Sequence, residues 1–560
     1  MRILLALICL AFASAAAALE TARGLAASGA PHLALGRVEQ LQPRESTAPR
    51  WAEWEALRLA LLVDLKRNDE VLKRAAALPG NVPPALQRSC LLSATRAAVA
   101  TGQGARARAY AARVLWQLEP DPAETRGTRL LVIDSYLADR QGDAAFHAML
   151  RFEQDYRPLE PAVAGYFAGT LLDLGLDKEA VNWLGSLPDT SAVKLRLRLR
   201  AGLIGVDVAI AQARARLAPR QKREDAAGYW LVLAEAAQRK GDEALRIEAL
   251  ERLLNRAGED DGRTAAAQAS GLWQAYQARA QAIANRSQML AGDDKAWSDL
   301  AARRLGANAV ESRALFAYLA RNGRESDTRF NAQHQLVFSL YQGGLDHAAL
   351  HLFGDAGIAV DTLDPKVRHL LGEVAAKRDR PGLAVRFWQG LAAPPKTDAQ
   401  EWQVRLVEAQ WRSGAADAAV AMLRAMAKSP PPLSRPATAR VLALSREAAA
   451  AGRPATAEEM VSAVLPLAAG NDARVLLNAL GGIAESAAQF ARAADYFLRA
   501  ALPDGSPVTD ALALQARLAA ATNLARAGYR EDARTQFQWV IANSKDASQR
   551  ELARRELARL

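Results

Sequence analysis

Seven times along this chain a small or polar residue is followed, at offsets of five, four and three, by small or apolar residues. The sets are Gly175-Ala180-Leu184-Leu187, Gly344-Ala349-Phe353-Ala356, Asp379-Ala384-Trp388-Leu391, Gly414-Ala419-Leu423-Met426, Gly452-Ala457-Val461-Val464, Ala488-Ala493-Phe497-Ala500 and Gly528-Ala533-Phe537-Val540. Offsets of four and three place the later members on one helical face. A glycine or small polar residue just ahead marks a tight turn out of an earlier helix. That earlier helix is legible at 401–413 and 513–527. The unit is helix, short turn, helix. From Gly344 onward the turn residues are 35, 35, 38, 36 and 40 positions apart. A hairpin of this size cannot bury its own apolar face, so stacked neighbours share it and build a continuous core.

The N-terminal half keeps a looser beat. Asn68, Gly102, Gly142, Gly175, Gly205 and Gly241 read as turn residues, with steps of 34, 40, 33, 30 and 36. From Gly241 to Gly344 there are 103 positions, room for three units, but the register at 255–330 is poor. Prolines recur near unit ends, at Pro120, Pro188, Pro394, Pro430 and Pro503. Together these residues resemble the tetratricopeptide repeat, a helical hairpin of ~34 residues. The resemblance is carried by the turn glycines Gly175, Gly344, Gly414, Gly452 and Gly528 and by Ala180, Ala349, Ala419, Ala457, Ala493 and Ala533 as packing residues. The first-helix Trp, Gly and Tyr of the family pattern are mostly missing, and several steps exceed the family length. The resemblance implies an all-α fold, a superhelical solenoid of stacked hairpins. It divides the chain into a signal segment (1–18), N-terminal repeats (50–254), a degenerate stretch or connector (255–329), C-terminal repeats (330–543) and a capping helix (544–560). In the last of these, Leu552 and Leu557 read as one face. The 530–560 stretch is also similar to the ends of periplasmic cell-envelope members of the family.

Composition bears on compartment and partner. Met1-Arg2 is followed by a short apolar run and then small residues, the layout of a cleavable secretory signal. The mature chain is expected to begin between Ala16 and Glu20. Only Ile3 to Phe12 is strongly apolar, far short of the ~20 residues of a spanning helix. The expected compartment is the periplasm, with association at the outer membrane left open. Two cysteines, Cys9 and Cys90, exclude a disulfide scaffold and a multi-cysteine zinc site. Cys90 reads as a core residue. The formal charge is +11, and Arg outnumbers Lys roughly five to one. The excess is spread along the chain, without the basic stripe and interleaved aromatics of a nucleic-acid surface. No nucleic-acid partner is expected.

No motif assembles a catalytic or metal centre, so no catalytic residue, metal or cofactor is assigned. His347 and His351 have metal-ligand spacing but lack the adjacent Glu of a zincin. With Ala349 and Phe353 on the packed face, both rings are expected in solvent. Gly102-Gln103-Gly104 reads as a hairpin turn rather than a phosphate loop. Gly271-Leu272-Trp273-Gln274 echoes a segment of soluble lytic transglycosylases, but the Glu-Ser pairs, Glu311-Ser312 and Glu485-Ser486, lie downstream of it, and the chemistry needs a proton-donating acid. The run at 194–200, KLRLRLR, reads as a helix with Arg196 and Arg200 on an exposed side. Trp51, Trp54, Trp388 and Trp402 read as packing.

The expected function is binding. In a superhelical stack the first helices line a long concave surface. In the best-registered region they supply Asn331, His334, Phe338, Tyr341, Lys366, His369, Glu373, Glu401, Arg405, Glu408, Trp411 and Arg412. Mixed charge, rings and amides suit an extended peptide or a polysaccharide. The expectation is a periplasmic scaffold or adaptor in envelope assembly or polysaccharide export, bound to a protein or envelope polysaccharide. The competing reading is an accessory of peptidoglycan or exopolysaccharide metabolism related to the helical part of lytic transglycosylases.

Overall fold

The computed structural model describes residues 18–28, 31–217, 226–256, 262–354, 360–428, 433–502 and 508–560. Residues 1–17, Ala356, Pro430 and Pro503 lie outside the described residues. Among those described there is no strand, and no helix is long and apolar enough to cross a membrane. The chain is all-α, and its contacts divide it into two units, Met1–Lys240 and Gly241–Leu560.

The first unit opens with α1 (18–27) and α2 (Pro31–Leu41). Hairpins follow: α3 (Trp51–Asp64) with α4 (Asn68–Ala76), α5 (Pro84–Ala100) with α6 (Gly104–Gln117), and α7 (Pro122–Ala138) with α8 (Gly142–Asp155). Next come α9 (Pro161–Asp173), the short α10 (Asp177–Ala180) continued by a 3-10 turn, α11 (Ala192–Arg200), α12 (Val206–Arg216) and α13 (Ala226–Lys240).

The second unit begins with α14 (Glu243–Leu254), α15 (Gly262–Arg286), α16 (Asp294–Arg304) and α17 (Ala309–Asn322). Its regular hairpins are α18 (Ser326–Gln342) with α19 (Asp346–Gly354), α20 (Pro365–Lys377) with α21 (Pro381–Trp388), and α22 (Ala399–Arg412) with α23 (Ala416–Met426). They continue as α24 (Arg435–Ala450) with α25 (Pro454–Val464), α26 (Gly470–Ser486) with α27 (Phe490–Ala501), and α28 (Ala511–Arg526) with α29 (Arg530–Asn543). The last helix is α30 (Ala547–Leu557).

One turn is used throughout. The first member of all seven sets has positive φ, from 55° at Asp379 to 89° at Gly528, and the second helix starts two residues on. In each, the amide after the turn residue donates to a carbonyl five positions back, as Leu345 N does to Leu340 O (2.9 Å) and Ala415 N to Gln410 O (3.0 Å). This is the Schellman ending of a helix, in which a left-handed residue satisfies the last carbonyls. It reverses the chain with no spare length, and the second helix folds back on the first. Proline at the first position fixes the start of α5, α7, α9, α20, α21 and α25.

The residue five beyond the turn lies where the helices meet. Ala180, Ala384, Ala419, Ala457, Ala493 and Ala533 are fully buried, and Ala349 nearly so. Aromatic rings four residues later press on the first helix. A Cβ on Gly372 would lie 2.0 Å from Trp388 Nε1, and one on Gly481 would lie 2.7 Å from the Phe497 ring. Both glycines are therefore seats for an aromatic side chain.

Three details differ from the sequence reading. Lys66, Arg140 and Gly202 adopt the left-handed turn, whereas Asn68 and Gly142 are first residues of the following helices and Gly205 caps α12. Leu552 is exposed: α30 packs through Ala553 and Leu557, which are four apart and share a face as residues five apart do not. His351 is 1% exposed rather than in solvent, because α19 is packed by α14, α15, α18 and α20 at once. Cys90 and the four tryptophans read as packing are buried, and Gly102 makes a hairpin turn. Burial pushes the Cys90 thiol up to about 11.

Ala419→Arg places a long cation at a closed helix contact. Overpacking alone costs about 1–3 kcal/mol, and an unpaired buried charge adds to it. Hydrogen exchange on this variant is expected to lose protection around residues 380–460 and to keep it across 50–200. Uniform loss, or none, contradicts the nearest-neighbour stack.

Candidate functional site

The twelve surface residues read from sequence fall on three consecutive first helices of the second unit, α18, α20 and α22. None is buried. Asn331, Phe338, Lys366 and Arg412 are exposed and the others half-buried, while Val404 and Val407 of the same α22 point into the core.

The structure joins several of them, and most of the joins run from one hairpin to the next. Arg405 on α22 reaches Glu373 on α20 at 2.7 Å. Arg440 on α24 reaches Glu408 at 3.0 Å and Glu401 at 3.8 Å on α22. Arg412 bridges Glu408 (2.9 Å) and Glu447 of α24 (3.0 Å). Lys377 Nζ donates to the Tyr341 hydroxyl at 3.2 Å. Rings join as well: His369 sits edge-on to Trp402 at 4.9 Å, and His334 stacks with Phe338 at 6.2 Å. Asn331 and Lys366 stand apart from this network.

At its centre lies a hollow of about 120 Å³, bordered by Asp379, Trp388, Arg405, Glu408, Arg412 and Arg440. Arg405 lies 5.9 Å from the Trp388 ring centroid. Three guanidiniums and two carboxylates face an indole edge, so the site offers paired donors and acceptors beside an apolar surface. Arg440, Glu447, Trp388 and Asp379 were not in the set read from sequence. Trp388 was taken only as packing, and Arg440 and Glu447 lie on the next first helix, one hairpin beyond the chosen window.

Ties between neighbouring hairpins recur in both units. In the first, Arg108 pairs with Asp139 at 2.7 Å. Arg196 and Arg200 are also corrected here. Arg196 is 8% exposed and bonds Asp173 (2.6 Å) and Glu235 (2.9 Å), and Arg200 bonds Asp177 and Leu172 O. In the second unit, Arg378 pairs with Asp346, and Arg474 forks onto Asp510 at 2.6 and 2.8 Å while donating to Ala500 O. Many of the arginines are thus spent between hairpins.

In and beside the stretch of poorest register, charged side chains are buried in pairs. Arg313 on α17 forks onto Glu251 on α14 at 2.7 and 2.6 Å, and the buried Tyr276 hydroxyl donates to the same carboxylate at 2.6 Å. Burial raises Tyr276 well above the ordinary tyrosine range. Glu311, part of the pair considered above for glycan chemistry, is gripped by Arg279 and Arg304, so its oxygens accept from guanidiniums rather than facing a cleft. His347 and His351 form no shared ligand set either. Among the described residues no group of three or more His, Cys, Asp or Glu could hold a metal ion.

No protein-family model matches the chain, and no curated protein matches its sequence. Solved structures similar to it include the pentatricopeptide repeat protein PPR10 in complex with an 18-nucleotide psaJ RNA element (14% identity, 96% of this chain and 86% of that one, TM-score 0.33). Others are the Cut9–Hcn1 hetero-tetramer of the APC/C (10% identity, 96% and 95%, TM-score 0.29) and yeast Tom70 (12% identity, 91% and 95%, TM-score 0.20). With scores this low, the helical-repeat architecture stands on the hairpin geometry itself.

Asp510 both caps α28, accepting from Ala513 N at 2.8 Å, and takes the Arg474 fork. The Arg474 hydrogen bond holds its carboxyl down to about 2. A depressed acid contributes stability that is complete above its ordinary pKa near 4 and is lost as pH falls toward 2. Asp510→Asn keeps a capping oxygen and removes the charge. Its thermal midpoint is expected below wild type at pH 7, with the gap narrowing from pH 5 to pH 3. A gap independent of pH contradicts the pairing.

Proposed function

We propose that this protein is an exported binding scaffold whose first-helix face in the second unit holds an extended segment of a partner protein during envelope assembly. The observation that supports a peptide is the alternation of sign around the Trp388 hollow. Arg405, Arg412 and Arg440 are matched there by Glu373, Glu401, Glu408 and Glu447. A phosphate backbone needs an unbroken basic track, and this face interrupts it at every hairpin. A peptide segment brings donors and acceptors together with apolar side chains, and matches the face in both respects. The arrangement suits binding.

Crosslinking and mass spectrometry in intact cells test the reading. Partner crosslinks are expected to map to α20, α22 and α24 and to fall at least tenfold in Arg405→Glu/Arg440→Glu. Arg108→Glu, which breaks a comparable tie in the first unit, is expected to leave them unchanged. Crosslinks insensitive to the pair, or recovery of a polysaccharide alone with salt-sensitive binding, overturn it.

Export is proposed on the signal-like segment. Leu19 and Ala22 of α1 are fully buried in one core with Leu35 and Trp54, so a mature chain needs Leu19 to complete it. The mature N-terminus is expected between Ala16 and Leu19. Mass spectrometry of periplasmic material that finds intact Met1 refutes it.

A further inference from the structure

The run at 194–200 points to a second site, in the first unit. Alternate residues of a helix lie about 200° apart, so a basic residue at every second position of α11 divides between two sides. Arg196 and Arg200 turn toward Asp173, Asp177 and Glu235. Lys194 and Arg198, four apart, share the other side and line a cleft of about 420 Å³. Across it α12 presents Gln212 and Arg216, again four apart, and Tyr229 of α13 forms part of the wall. The tyrosine is 3% exposed and its hydroxyl is fixed by donation to Thr190 O.

The charges of this cleft are unlike those of the second unit's hollow. Lys194 is held by Asp189 and by Leu187 O, each at 2.8 Å. Among the described residues no side-chain hydrogen bond or ion pair holds the guanidinium of Arg198 or Arg216, although Lys194, with Arg198, holds the Asp189 carboxyl down. Asp189 is the single acid among the lining residues, and its side chain is 90% exposed, at the rim. Three cations therefore face one acid, where the second unit's hollow pairs its arginines with glutamates. A guanidinium is a planar fork that matches the two oxygens of a carboxylate or phosphate, and half-burial in a cleft strengthens that pairing over its value in open water. The volume falls in the ~300–1,000 Å³ range of small-ligand sites.

We propose that this cleft binds a small solute through an oxyanion group, phosphate or carboxylate, clamped between Arg198 and Arg216 with Lys194 beside them. The site is separate from the peptide-binding face and independent of it.

Calorimetric titration of the full chain at low salt, with pyrophosphate in one arm and citrate in the other, tests it and separates the two chemistries. Saturable one-to-one binding is expected in at least one arm. Arg198→Gln and Arg216→Gln should each weaken it tenfold or more, and Arg198→Lys, which keeps charge but loses the fork, by less. Arg446→Gln removes the same charge from an exposed position in the second unit and should leave binding unchanged. Circular dichroism and melting curves matching wild type establish that each variant is folded. Absence of saturable binding in both arms, or equal weakening by Arg446→Gln, overturns the proposal.

Discussion

Two consecutive helices pack closely along their length when the chain between them turns at once and a small residue lies where their axes come closest. The second unit meets both conditions with one device, a left-handed residue ending the first helix and an alanine five positions later. The turn fixes where the second helix starts, so the alanine falls at its fourth residue, and the aromatic or aliphatic residues that follow are already aimed at the shared core. Trp388 and Phe497 can be large because Gly372 and Gly481 opposite them have no Cβ. Everything on the first-helix face depends on this. Were the hairpin looser, Glu373, Glu408 and Glu447 would not arrive at the spacing that Arg405, Arg440 and Arg412 bridge.

Much of that architecture was legible because the turn has a chemical preference. Gly344, Gly414, Gly452 and Gly528 announce themselves, since a glycine takes positive φ without a steric cost. Lys66 and Arg140 do not, and accept roughly 1–2 kcal/mol to adopt it. Reading for glycine or asparagine there, at Gly142 and Asn68, moved those turns by two residues. The register at 255–330 was illegible for a different reason. There Tyr276 and Arg313 bond Glu251, and Arg279 and Arg304 bond Glu311, so polar side chains occupy inward positions that a pattern of small and apolar residues does not register.

The candidate surface was legible in outline and not in detail. Sequence periodicity says which residues of a first helix avoid the core, and none of the twelve named positions is buried, although Trp411 packs against the core from its edge. It cannot say which neighbour a long side chain will reach. Arg196 and Arg200 were assigned to solvent because arginine is usually exposed, yet the acids that hold them stand on α9, α10 and α13, more than twenty residues away in either direction. His351 was misjudged for the same reason: a helix clamped by several others has no outward side, and the number of its neighbours is a tertiary fact.

The ties between hairpins have a mechanical consequence. Within the hairpins of the second unit the two helices meet mainly through apolar side chains, a contact that salt barely touches. Between hairpins it is reinforced by side chains such as Arg412, Arg440 and Glu447, which water reaches. Charges in water are screened beyond about 10 Å at 0.1 M salt, and pairs in contact are weakened too. The second unit therefore carries an ionic seam along its first-helix face, over an apolar core that runs from one hairpin into the next. The seam loosens as the ionic strength of the surrounding fluid rises, while the core beneath it holds the hairpins together.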